Sequence, residues 1–129
     1  KDVEPVLAIS VAGGDLQDQV ALNLLLDFIE FSLDPAQAVT APRFATDHHE
    51  DSFDPNPDRQ AAFIKAGSLT MNETIDDPVQ ATLRQRGHQV ETKADAIGAP
   101  VMLYRDRDTG IYHAAGDPAA KRHAAGLSD

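Results

Sequence analysis

Cysteine is absent from this 129-residue chain, which excludes disulfides, thiolate zinc sites and cysteine nucleophiles from it and leaves the redox compartment open. Basic residues are scarce: 11 Lys and Arg stand against 21 Asp and Glu, a formal charge of −10. That balance argues against nucleic-acid backbones and anionic membrane surfaces as partners. No apolar run approaches the roughly 20 residues of a membrane helix, and the first residues carry no signal-peptide pattern. Also missing are a Gly-x-Ser-x-Gly elbow, a Gly-x-x-x-x-Gly-Lys phosphate loop, a His-Glu-x-x-His helix and any internal repeat. These absences argue against catalysis by this chain alone and leave its localisation unknown. A length of one small domain and 42% hydrophobic residues allow a modest core.

What the chain does have is Ser10-Val11-Ala12-Gly13-Gly14-Asp15-Leu16-Gln17-Asp18-Gln19, in which two glycines join an apolar strand to a helix. Without a Cβ, Gly13 and Gly14 bring bare backbone N–H groups close to a ligand, and a following helix adds the positive end of its dipole. Such donors could serve as an oxyanion hole. The plainer alternative is a tight turn with Asp15 as N-cap and Asp18 near N3. Nothing marks a base beside Ser10, so it reads as a strand-end serine rather than a nucleophile.

Residues 5–12 form a nearly continuous apolar run, which predicts a central strand buried on both faces. From 15 to about 33, Leu22, Leu25, Leu26, Ile29 and Leu33 make a helical stripe expected to pack on a sheet. Asp34-Pro35 and Asp77-Pro78 each read as an N-cap followed by proline in the first helical position, with Gly87 ending the second of these helices. Residues 43–46 read as a short strand, and 63–64 and 68–71 as strands flanking a Gly67 turn. Residues 90–93, 99–105 and 110–115 read as three more, the last two a hairpin about Asp108-Thr109-Gly110 in an antiparallel ribbon. The alanine-rich stretch 119–129 is expected to fray.

Between them lies Asp47-His48-His49-Glu50-Asp51, followed by the turn-rich Asp54-Pro55-Asn56-Pro57-Asp58. Imidazoles and carboxylates are suitable ligands for a divalent ion. Adjacent histidines on an extended chain point to opposite faces, so a solvated loop is the simpler reading and no metal is assigned. His88, just past the Gly87 cap, reads as a capping or surface histidine rather than a base.

The run from Ser10 to Gln19, then Asp34-Pro35-Ala36-Gln37-Ala38-Val39 with Ala41-Pro42-Arg43-Phe44, then Leu83 with Gly87-His88-Gln89-Val90, and Ala115-Gly116-Asp117-Pro118 resembles the C-terminal part of the small subunit of gamma-glutamyltranspeptidases. Gly-Gly-Asp-Leu-Gln-Asp-Gln is similar to the gamma-glutamyltransferase-like or acylase-like branch. The resemblance implies an α+β fold: a layered sheet with covering helices, part of the four-layer αββα sandwich of N-terminal-nucleophile hydrolases. It implies that residues 1–118 are the C-terminal portion of such a small subunit, with 119–129 a tail. Precursors of that family cut themselves, leaving an N-terminal threonine that attacks the gamma-glutamyl carbonyl. Lys1 supplies no such nucleophile, so the chain is expected to be a fragment whose threonine lies upstream. By resemblance Gly13 and Gly14 match the oxyanion pair and are the only catalytic positions carried over. Ala119 stands where the family usually has Arg, and the serine pair that precedes its glycine motif has no match after Lys1.

The implied activity is transfer or hydrolysis of gamma-glutamyl or related acyl groups from glutathione-like amides, without a cofactor. The implied partners are the remainder of the parent polypeptide, meaning the large subunit and the N-terminal part of the small one, and the acyl-amide substrate. The alternative is a non-catalytic binding or structural module with the same architecture.

Overall fold

The chain divides into two compact units, Lys1–Ala41 with Gly98–Asp129, and Pro42–Ile97. The structure, a computed structural model, describes residues 4–63 and 65–126. Helices and strands are both present in each unit, so the fold is α+β.

In the first unit, β1 (Leu7–Ala12), β5 (Ala99–Arg105) and β6 (Tyr112–Gly116) form an antiparallel sheet in the order β1-β5-β6. Ile9 pairs with Met102, and Met102 with Ala115. Side chains alternate across a strand, so Leu7, Ile9, Val11, Pro100, Met102 and Ala115 share one face. On it pack α1 (Gln17–Ile29) and α2 (Pro35–Thr40), whose Val20, Leu24, Ala38 and Val39 are buried. Burying Val20 and Leu24 contributes about 1.5–3 kcal/mol apiece. The opposite face, with Ala8, Ser10, Ala12, Leu103 and Ala114, is exposed. Among the described residues β1 is thus the outer strand of its sheet with one covered face, rather than a central strand covered on two.

The helical stripe also lies elsewhere than its period predicts. Leu22, Leu26 and Ile29 are exposed, while Val20 and Leu24, on the other side of α1, reach the sheet. Apolar residues occupy both sides of this helix, so periodicity alone could not choose between them. α1 also begins later: Gly14–Leu16 form a 3₁₀ turn, Leu16 is the N-cap, and no side-chain cap bond closes it. At α2 the reading holds: Asp34 Oδ1 accepts from Gln37 N at 2.8 Å and Asp34 N donates to Gln37 Oε1 at 3.0 Å, a full capping box.

The second unit carries β2 (Phe44–Ala45), β3 (Ser68–Asn72) and β4 (Gln89–Lys93) in that order. β2 is antiparallel to β3, and β4 runs parallel to β3 after the crossover helix α3 (Asp77–Gln85). β4 thus joins a different sheet from the β5–β6 hairpin, and the expected ribbon contains two strands of the three. The N-cap of α3 is Asp76, one residue earlier than expected, with Asp77-Pro78 inside the first turn. At its end His88 N donates to Leu83 O and Gly87 N to Arg84 O, a Schellman closure around Gly87 at φ +95°. Phe63 is an exposed bend rather than strand, and Ile64 lies outside the described residues.

Candidate active site

β1 ends at Ala12, and the chain then turns through Gly13 and Gly14 into the 3₁₀ turn and α1. Gly14 has φ +56°, the left-handed region that an L side chain enters at a cost of about 1–2 kcal/mol. Gly13 O accepts from Leu16 N at 3.1 Å, and Gly14 O accepts from Gln17 N. The two carbonyls are thus spent on opening the helix. The N–H groups of Gly13 and Gly14 donate to no acceptor among the described residues. Gly13 is exposed and Gly14 half-buried, so both donors remain open to a ligand.

A third glycine, which sequence reasoning missed, supports this turn. Gly98 Cα would lie 3.8 Å from a Cβ placed on Gly13. A Cβ on Gly98 itself would fall 2.9 Å from Val20 Cγ2, and its φ is +70°. Gly98 therefore lets the start of β5 pass close beneath α1, next to the glycine pair. Its signal in the sequence is a lone glycine immediately before a strand.

The other positions singled out in the sequence make structural contacts. Arg43, only 2% exposed, donates from Nε to Ile97 O at 3.1 Å and from its backbone N to Asn72 Oδ1 at 2.7 Å. Asn72 N returns a bond to Arg43 O at 2.9 Å, so arginine and asparagine lock β2 against β3. Asp117, 3% exposed, accepts from Ala119 N at Oδ1 (2.9 Å) and from Arg122 N at its carbonyl (2.9 Å). The segment after 118 is thereby turned back, with Arg122 and His123 backbone directly over Gly116. His88 contributes its backbone N–H to the α3 cap. Thr46 Oγ1 and Ser68 Oγ lie 3.1 Å apart at the neck of the polar loop, where Lys65 Nζ reaches Asp47 Oδ2 at 3.0 Å. Among the described residues no grouping of three or more His, Asp or Glu is placed to hold a metal ion. Among those residues, too, no helix is long and apolar enough to cross a membrane.

Residues 1–127 match the sequence profile described as gamma-glutamyltranspeptidase. Similar solved structures include a Helicobacter pylori gamma-glutamyltranspeptidase, 18% identical with a TM-score of 0.69, in which 92% of this chain covers 56% of that one. A gamma-glutamyltranspeptidase from Pseudomonas nitroreducens is 18% identical at a TM-score of 0.72, covering 100% of this chain and 58% of its own. Cephalosporin acylase from Bacillus halodurans is 23% identical at 0.72, covering 92% of this chain and 19% of its own. At these identities the likeness is one of fold, and the chain spans little more than half of the first two proteins. No curated protein sequence matches it.

Proposed function

The chain belongs to the gamma-glutamyltranspeptidase family of autoprocessing, acyl-transferring N-terminal-nucleophile hydrolases, and from that membership we propose that it supplies the oxyanion donors of an acyl-transfer enzyme. Residues 1–118 are read as the C-terminal portion of the small subunit and 119–129 as its tail. The nucleophile is a threonine in polypeptide N-terminal to Lys1. Its hydroxyl oxygen attacks the carbonyl carbon of a gamma-glutamyl or related amide, its own α-amino group takes the hydroxyl proton, and negative charge develops on the carbonyl oxygen. Gly13 and Gly14 donate their N–H groups to that oxygen. Collapse returns the proton to the leaving amine and leaves an ester, which water or a second amine opens. A glutathione-like amide is the substrate class that the family reading favours.

The observation that carries this reading is the glycine turn, whose two N–H groups have no acceptor among the described residues. Fixed donors of this kind stabilise the transition state because they need no reorganisation as charge appears. In the full-length protein, Gly14→Ala forces a side chain into the left-handed region and re-aims the donor. We expect kcat to fall by about 10²–10³ while substrate KM changes little. Unchanged kcat in both Gly13→Ala and Gly14→Ala would remove the oxyanion assignment. Intact mass and N-terminal sequencing of the full-length protein test the nucleophile, the expected product being a new N-terminal threonine.

A second reading, a binding module that has lost its chemistry, is favoured by Ala119 standing where the family usually has Arg. An uncut full-length protein that binds a glutamyl peptide without turning it over would select it.

A further inference from the structure

At the end of the first unit away from the glycine turn, aromatic rings line a cavity of about 290 Å³. α1 runs back along β1, so Phe28 reaches the Tyr104 end of β5, and the two ring centroids are 5.0 Å apart at 59°. His113, the register partner of Tyr104 on β6, places its ring 6.0 Å from the tyrosine at 27°. Ser32, Leu33, Asp34 and Pro35, where α1 gives way to α2, complete the rim, and among the described residues no Lys or Arg lines the cavity.

Its aromatic lining favours one kind of ligand. Aromatic faces carry the negative part of the ring quadrupole and attract a cation within about 6 Å of the centroid. Asp34 commits Oδ1 to the α2 cap, and its second oxygen has no partner among the described residues. The chain as a whole bears a formal charge of −10, which raises the local concentration of cations. A compact, strongly hydrated ammonium gains little from ring faces, whereas an alkylated one gives up less water and offers methyl groups to pack. A neutral apolar molecule would fill the space and leave the carboxylate unused.

We propose that this cavity binds a small organic ammonium ion with apolar substituents, its charge beside Asp34 and its alkyl groups against Tyr104 and Phe28. The assignment is independent of the oxyanion reading, since it uses none of the residues of the glycine turn.

The test is NMR titration of the full-length protein with choline and with its neutral isostere 3,3-dimethylbutanol. Choline is expected to shift Phe28, Tyr104 and His113 resonances saturably, with the isostere binding at least about fivefold more weakly. Asp34→Asn keeps a side-chain oxygen to cap α2, because asparagine caps as well as aspartate, and should weaken choline by about fivefold. Tyr104→Leu, which keeps apolar volume, should weaken it to a similar degree. Absence of saturable shifts, equal binding of the isostere, or unchanged affinity in Asp34→Asn would each overturn the proposal.

Discussion

Two glycines with the same sign of φ have different reasons to be glycine. Gly87 at φ +95° has nothing within 4 Å of where a Cβ would stand, so Gly87→Ala costs only backbone strain, about 1 kcal/mol. Gly98 at φ +70° would add a contact of 2.9 Å with Val20, and Gly98→Ala is expected to cost at least about 2 kcal/mol. Denaturant melts of both variants, and of Gly98→Ala combined with Val20→Ala, check this. The double variant should show favourable coupling at 98 and 20, and strict additivity would refute the clash. Asp106 provides a pH readout. Its Oδ1 accepts from Thr109 N and Asp108 N, and those bonds hold its carboxyl below the ordinary value near 3.8. A depressed folded value means the stabilisation is complete above the unfolded value and is lost as pH falls through the folded one. A carboxyl-carbon titration of Asp106 with a midpoint below 3.8 and with Thr109 amide protection fading alongside is the expected result; a midpoint at or above 3.8 refutes it. The hairpin turn was readable from Asp108-Thr109-Gly110, but the residue that holds it, Asp106, stands two places earlier; aspartate is a favoured first residue of a turn, and it was not singled out.

At the scale of elements, caps were more legible than faces. Asp34-Pro35 with Gln37 is a local device, complete within four residues, and the structure contains it whole. Asp34→Ala should cost about 1 kcal/mol and deprotect the Gln37 amide, read by hydrogen exchange; a loss of less than about 0.3 kcal/mol would show the box to be ornamental. Which side of α1 is buried could not be read locally, because apolar residues line both. The distinction is measurable: Leu24→Ala should cost about 2–5 kcal/mol, whereas Leu26→Ala, at 45% exposure, should stay within about 0.5 kcal/mol in the 129-residue chain. Equal costs would mean that the exposed side is covered. β1 misled for a related reason. An unbroken apolar run is what a strand with two covered faces shows, yet its Ala8, Ser10 and Ala12 face is bare here.

For the whole molecule, the family and the α+β class were legible, while the division into two units was not. The sheet partners of β1 and β4 are set by long-range register, which periodicity does not encode. The glycine doublet stood out because it follows a strand directly and opens a helix; Gly98 did not, since its reason is a neighbour 78 residues back in the chain, Val20. Residues 51–60 are all exposed, so limited trypsin digestion should cut first after Arg59, well before buried Arg43. Early cleavage after Arg43, followed by mass spectrometry, would contradict the packing of the second unit.

That second unit begins beside the point where it ends, since Arg43 near its start bonds Ile97 at its close. A segment whose two ends are pinned together adds little closure entropy to the fold that hosts it, however long it grows. Residues 42–97 are in this sense a cassette clipped shut by one guanidinium, and lengthening, trimming or exchanging the loops within it leaves the strands of the host sheet free to find one another.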